Sequence, residues 1–145
     1  GPEPLDKRFT ANTLRQRLSR HHIPIKAALL DQCIVAGIGN MYADEALYAA
    51  RIHPLRKTDE LSAKQVRTLH NSIRRILQTA IVSKGASIDT YVRPEGEPGT
   101  AHFDFKVAHR GGELCPVCGG PIERIVVQNR GTYFCPRCQP LRRST

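Results

Sequence analysis

The sequence predicts a mostly α-helical fold, with four helices followed by a small β-hairpin that four cysteines hold together. Three observations lead to this prediction. Apolar residues recur at three- and four-residue spacing from residue 66 to residue 81, as on one face of a long helix. Shorter segments with helical spacing precede it. Near the end of the chain, two C-x2-C pairs flank a segment rich in strand-forming residues: Cys115 with Cys118, and Cys135 with Cys138.

The first three helices are expected before residue 52. The chain up to residue 5 is proline-rich and is expected to be an extended linker. The pattern becomes helical at Thr10, and a short second helix over residues 25–31 follows Pro24, which suits the first turn of a helix. A third helix is expected from Asn40 to residue 51, where His53 and Pro54 stop it.

The fourth and longest helix carries its own boundary signals. Ser62 and Gln65 form a capping-box pattern, and Leu61 with Val66 forms the matching hydrophobic staple. Gly85 is the expected residue just after the helix C-terminus. Three arginines of this helix lie off its apolar stripe, the last two on a solvated flank: Arg67, Arg74 and Arg75.

Beyond Gly85 the character of the sequence changes. The glycine- and proline-rich stretch PEGEPGTA, residues 94–101, predicts a loop. The next stretch, HFDFKVAH, alternates as a strand does, with Phe103, Phe105 and Val107 on one side.

The two cysteine pairs have the spacing of a structural zinc site. Each C-x2-C turn presents two sulfurs to one tetrahedral ion, so one structural Zn²⁺ with four protein ligands is expected. Two disulfides, or four unrelated buried thiols, are the alternatives. The segment between the pairs predicts a hairpin that turns at residues 129–131, with Gly131 supplying a positive φ. The fifth cysteine, Cys33, is expected to be a small buried apolar group.

Composition narrows the classes of function. The 145-residue chain has a formal net charge of +9, with basic residues in excess in both halves, which favours a polyanionic partner. It has neither an apolar run long enough for a membrane span nor a secretory signal, so no membrane partner is expected. Reduced thiols beside a zinc site fit a cytosolic or nucleoid location.

A phosphate-binding cluster is predicted between Lys26 and Asn40. A helix N-terminus offers free backbone N–H groups, and Gly37 and Gly39 allow another backbone to approach closely. Lys26 would add a cation, and the Asn40 side chain a further donor. The alternative is that the glycines only let two helices turn sharply. Arg130, at the tip of the zinc hairpin, is the second candidate for a phosphate or groove contact.

These motifs together resemble the C-terminal half of the formamidopyrimidine-DNA glycosylase / endonuclease VIII family of bacterial base-excision repair enzymes, closer to the formamidopyrimidine branch. The strings that carry the resemblance are Ile25-Lys26, LLDQCIVAGIGNMYADEAL, the following IHP, EGEPG and RGTYFCPRCQ. The resemblance implies a helix–two-turn–helix DNA-binding domain over residues 1–90, a linking loop and strand over 91–106, and a zinc finger over 107–141.

The resemblance also implies roles for residues. Lys26 and Asn40 match the family's phosphate-binding lysine and asparagine, and Gly39 and His21 are expected at the same DNA surface. Arg130 matches the zinc-finger arginine that binds the backbone at the lesion and donates a proton in δ-elimination. Residues 95–102 correspond to the loop that closes over a flipped oxidised purine in some members. The expected partner is double-stranded DNA with an oxidised base or an abasic site, bound by a monomer in the bacterial cytoplasm, at the nucleoid.

The sequence departs from the family in three places. Ala108-His109 stand where the family commonly has Tyr-Gly, and His21-His22 stand where members often have Lys or Arg. The third departure is the expected absence of the N-terminal catalytic domain, whose proline amine is the family's nucleophile, because Pro2 follows Gly1 and has an amide nitrogen. The main hypothesis is therefore the DNA-binding part of a glycosylase/AP lyase, inactive as an isolated fragment. The alternative is a stand-alone zinc-ribbon module that binds nucleic acid or protein.

Overall fold

The computed structural model describes residues 1–90 and 104–141, and in them the predicted architecture is confirmed. Four α-helices precede a two-stranded antiparallel sheet, and a short 3-10 turn, Thr58–Glu60, leads into the last helix. The elements are α1 Ala11–Ser19, α2 Ile25–Leu30, α3 Asn40–Ala50, α4 Ala63–Thr90, β1 Glu123–Val127 and β2 Arg130–Phe134.

The helices enclose one hydrophobic core, in which α4 packs against α1 and α3. The apolar stripe of α4 is buried there through Val66, Leu69 and Ile73. The predicted capping box forms, and α1 has a side-chain cap as well. Thr10 Oγ1 accepts the N–H of Thr13 at 3.2 Å, and Ser62 and Gln65 exchange reciprocal bonds of 2.9 and 3.1 Å. These caps satisfy N–H groups that have no acceptor within the helix.

The helix α4 does not end at Gly85, so that part of the prediction is wrong. It continues through the glycine to Thr90. A glycine inside a helix costs about 1 kcal/mol relative to alanine but does not interrupt the hydrogen-bond ladder. The next proline, Pro94, lies four residues beyond the end of α4.

The strand predicted over residues 102–109 is also wrong for residues 104–109, which contain no strand and form bends and turns from residue 106 to residue 109. Their backbone donors are bound to a side chain rather than to a neighbouring strand. The N–H groups of Lys106, Val107 and Ala108 donate to the carboxylate of Glu45 on α3, at 2.8, 2.8 and 2.9 Å. His109 then takes a left-handed conformation with φ 59°, which glycine adopts more easily. The loop prediction and Phe103 lie outside the described residues.

The hairpin turn differs from the prediction in its position. Gln128 and Asn129 form a two-residue connection with φ of 51° and 61°, and Val127 pairs with Arg130 across it. Two successive positive φ values are typical of the turn that matches the twist of a tight hairpin. Gly131 therefore lies within β2, opposite Val126, and Arg130 is the first residue of that strand.

Cys33 is exposed, contrary to the prediction. It lies in the turn after α2, where its N–H donates to Asp31 Oδ1 at 2.9 Å, and the next two residues, Ile34 and Val35, fill the core instead. Within the described part of the chain, no helix has the length and apolarity needed to cross a membrane.

Candidate nucleic-acid interface and zinc centre

The four predicted cysteines converge on one point. Their Sγ atoms all lie within 4.8 Å of one another, with Cys115 and Cys138 separated by 3.8 Å and Cys118 and Cys135 by 3.4 Å. A tetrahedron of sulfurs about 2.3 Å from a zinc ion has edges of about 3.8 Å. All four thiols are free, which excludes the two-disulfide alternative. The donor set therefore fits one structural zinc ion.

Backbone N–H groups point at three of the sulfurs. Val117 donates to Cys115 at 3.4 Å, Gly120 to Cys118 at 3.4 Å, and Cys138 to Cys135 at 3.5 Å. Four thiolates around Zn²⁺ leave a net charge of about −2, and such donors stabilise it. No open position remains for a substrate, so the centre holds the hairpin in shape rather than performing chemistry.

Lys26 is fully buried and already has partners. Its Nζ lies 2.5 Å from Asp44 Oδ1 on α3 and 2.9 Å from Thr132 Oγ1 on β2. The Gly131 carbonyl is 3.4 Å away. Burial lowers the pKa of Lys26 and raises the pKa of Asp44, while their mutual attraction opposes both shifts. Lys26 thus joins the helices to the hairpin, and its phosphate contact stays a prediction.

Asn40 reaches the same backbone carbonyl. As the first residue of α3, it donates from Nδ2 to the Gly131 oxygen at 3.1 Å. Its Oδ1 is buried without a hydrogen-bond partner in the described residues. Gly39 caps the helix in an extended conformation and is exposed, so the free N–H end of α3 lies beside the start of β2.

Arg130 stands next to this meeting point. It is exposed, it precedes Gly131 in the chain, and its positive charge helps to lower the pKa of Lys26. The structure therefore brings Lys26, Asn40 and Arg130 together around one residue. His21 is not joined to this group by a hydrogen bond in the described residues. It lies between α1 and α2, where its carbonyl accepts the Thr58 hydroxyl at 2.6 Å.

Sequence reasoning missed the residues that connect α3 to the zinc finger. Asp44 accepts the N–H of Tyr133 at 3.0 Å, Glu45 binds the turn at 106–108, and the Tyr48 hydroxyl lies 3.0 Å from Cys115 Sγ. Beyond α3, Gln139 accepts the Cys135 N–H at 2.8 Å and donates to the Ile52 carbonyl at 3.0 Å. The available signal was the acidic pair Asp44-Glu45 inside an otherwise apolar helix, because charged residues at such positions require partners.

The predicted exposure of Arg74 on α4 is also wrong. Arg74 does not lie free on a solvated flank. Its Nη1 donates to the carbonyls of Pro4 and Asp6, at 2.8 and 3.2 Å, and so holds the N-terminal segment against the helix. Arg67 and Arg75 are exposed, as predicted.

Comparisons with known proteins agree with this geometry. The sequence profile of the "Formamidopyrimidine-DNA glycosylase H2TH domain" matches residues 1–92, and that of the "Zinc finger found in FPG and IleRS" matches residues 112–141. The formamidopyrimidine-DNA glycosylase of Symbiobacterium thermophilum is 50% identical to this chain over 97% of its length. That of Chloroflexus aurantiacus is 52% identical over 96%. The chain spans about half of these relatives, 46% and 50% of their lengths.

Solved structures give the same result. The Lactococcus lactis Fpg in complex with DNA containing an abasic site has a TM-score of 0.83 and 43% identity, over 97% of this chain and 51% of that one. The MutM (Fpg) protein of Thermus thermophilus has the same TM-score and identity, over 96% and 53%. With its helical and zinc-finger parts both matched, this chain belongs to the formamidopyrimidine-DNA glycosylase family.

Proposed function

We propose that this chain is the DNA-binding part of a bacterial base-excision repair enzyme, a glycosylase and AP lyase that acts on oxidised purines. The observation that carries the proposal is the convergence of the free N–H end of α3, Asn40 and Arg130 at Gly131. Helix N-termini, amides and arginines are the groups that bind DNA phosphates. The similar Lactococcus lactis Fpg is described with abasic-site DNA, and a similar MutM with DNA containing carbocyclic 8-oxo-G.

Within this proposal the residues have different tasks. Asn40 and the exposed Gly39 end of α3 bind a phosphate, and Arg130 binds the backbone beside it. In the whole enzyme, Arg130 also donates a proton during δ-elimination. Lys26 positions the Gly131 segment from below, and its cation adds to the local positive field. His21 contributes a contact at the edge of the surface.

We also propose how the chain is divided and where it acts. Residues 1–90 form the DNA-binding helical domain, 91–106 a linker, and 107–141 the zinc finger. Val107 supports the last boundary, because it is buried with Cys115 and Ile122 in a cluster separate from the helical core. The protein works as a monomer at the nucleoid in the cytoplasm.

The proposal is tested by titrating a duplex that carries an abasic-site analogue at several salt concentrations. Arg130→Ala should weaken binding and reduce the slope of log affinity against log salt by about one, since one phosphate contact is lost. Asn40→Ala should weaken binding with little change in slope, because an amide carries no charge. Arg67→Ala and Arg75→Ala are matched controls on the exposed side of α4 and should change little.

Two outcomes would contradict the proposal. Equal losses for all three arginine variants would mean that binding is diffuse and follows net charge alone. Absence of measurable duplex binding at low salt would favour a stand-alone module that binds protein.

A further inference from the structure

Tyr48 is a buried tyrosine whose hydroxyl meets the zinc centre. It lies in the last turns of α3 with 8% of its surface exposed, and its oxygen is 3.0 Å from Cys115 Sγ. Its ring is packed in the small cluster that also contains Val107 and Ile122. A metal-bound thiolate carries no hydrogen, so with zinc bound the tyrosine must be the donor in this contact.

This contact differs from the others that the sulfurs make. The donors to Cys118 and Cys135 are backbone N–H groups of the finger's own knuckles. Cys115 also accepts one such bond, from Val117. In addition, it contacts the hydroxyl of Tyr48, and in the part of the chain that the structure describes no other side-chain hydroxyl is hydrogen-bonded to a ligand sulfur. This hydroxyl comes from a residue 67 positions earlier in the chain, in the helical part.

We propose that Tyr48 is a positioning residue of the zinc centre, which fixes the Cys115 thiolate and stabilises it in the metal-bound form. The hydroxyl draws electron density from the sulfur, so the thiolate is a poorer base toward protons and competing electrophiles. It also holds the Cys115 side chain in one orientation. Zinc retention therefore depends on the helical part of the protein. Asp44, one turn earlier on α3, binds the backbone of β2, so one stretch of α3 holds both the metal ligand and the hairpin.

The test replaces only the hydroxyl, in Tyr48→Phe of the full chain. The apparent affinity for zinc, measured by competition with a chromophoric chelator, should fall 10- to 100-fold, the range expected when a partner of a metal ligand is lost. In the cobalt-loaded protein, the thiolate-to-metal charge-transfer band should move to lower energy, because the sulfur lone pair is no longer stabilised by a hydrogen bond. A purely structural role for the ring would leave this band unchanged.

Tyr42→Phe is the matched control, because Tyr42 lies in the first turn of the same helix and its ring packs against Phe105. It should leave both the zinc affinity and the band at their original values. The proposal is overturned if Tyr48→Phe leaves the charge-transfer band in place, whether or not the zinc affinity changes. It is equally overturned if the control shifts the band as much. Far-ultraviolet circular dichroism of both variants confirms that the helices are retained.

Discussion

At the scale of single residues, the Lys26–Asp44 pair determines how the hairpin meets the helices. Both side chains are almost fully inaccessible to water, and each also binds β2, through Thr132 and through the N–H of Tyr133. Transferring two charges from water into the interior is costly, and the pair offsets that cost only while both partners are present.

Replacing one partner of this pair should therefore strongly destabilise the protein. In Lys26→Met, the Asp44 carboxylate remains buried without its cation, and the free energy of unfolding should fall by about 3–5 kcal/mol. Urea unfolding of the zinc-loaded protein measures this change. The control is Arg8→Ala, which removes an exposed ion pair with Asp6 and should have no measurable effect. Similar losses for both variants would show that the buried pair is not a special constraint.

His53 should make stability depend on pH. Its Nδ1 accepts the N–H of Leu55 at 3.0 Å, and its ring packs edge-on against Phe134 with centroids 4.6 Å apart. Burial lowers the pKa of His53 below its ordinary value of 6.5. As the pH falls, His53 therefore takes up a proton in the unfolded chain at a higher pH than in the folded one. The contribution of neutral His53 to the free energy of unfolding is present above pH 6.5 and is lost as the pH falls through the pKa of the folded state.

The variant His53→Gln isolates this effect, because its amide oxygen can accept the same N–H and does not titrate. Protonation of the zinc ligands affects both proteins alike. The wild-type unfolding free energy should fall more steeply than that of the variant as the pH drops below 6.5. Parallel pH profiles would show that His53 is not responsible.

At the scale of elements, sequence reasoning succeeded where the signal is local. The capping box at Ser62 and Gln65 and the two cysteine pairs are decided by residues a few positions apart, and both were predicted correctly. It failed where a remote group decides. The turn at 106–108 forms because Glu45, some 60 residues earlier, takes its backbone donors. Nothing in the alternating pattern of that stretch carries this information.

The zinc hairpin should be the element that depends on metal. Its buried cluster is small and consists largely of ligand cysteines, whereas the helices share an extensive core of their own. Removal of zinc by a chelator should remove hydrogen-exchange protection from the amides of Ile125 and Thr132, while Leu69 and Ile73 in α4 keep theirs. Restoring zinc should restore protection. An equal loss of protection in α4 would mean that the helical core does not remain folded without the ion.

At the scale of the whole molecule, a few polar contacts unite two hydrophobic clusters. We call these contacts the helix–finger junction: Asn40 with Gly131, Asp44 with Lys26 and Tyr133, Glu45 with residues 106–108, and Gln139 with Ile52. The sequence revealed Asn40, through its place after the glycines, but not Asp44, Glu45 or Gln139. Apart from Lys26 Nζ, which binds Asp44, their partners are backbone groups, and backbone groups do not depend on residue type, so the sequence does not identify them.

The helix–finger junction should make the zinc-loaded chain unfold as one unit. Weakening it at two points, with Glu45→Gln and Gln139→Leu together, should separate the finger from the helices. A glutamine at position 45 offers one acceptor oxygen where the carboxylate offers two, and its amide hydrogens oppose the N–H groups of residues 106–108. A leucine at position 139 can neither accept the N–H of Cys135 nor donate to the carbonyl of Ile52.

Scanning calorimetry with zinc in excess checks whether the helices and the finger unfold together. Wild type should give one transition with equal calorimetric and van't Hoff enthalpies, and the double variant two transitions or a calorimetric enthalpy above the van't Hoff value. The control places the same substitutions at exposed positions, as Glu123→Gln with Gln78→Leu, and should keep a single transition. A single transition in the junction variant as well would mean that apolar packing between α3 and β2, rather than these hydrogen bonds, joins the two parts. In that case the proposed DNA surface at Gly131 would be held by that apolar packing.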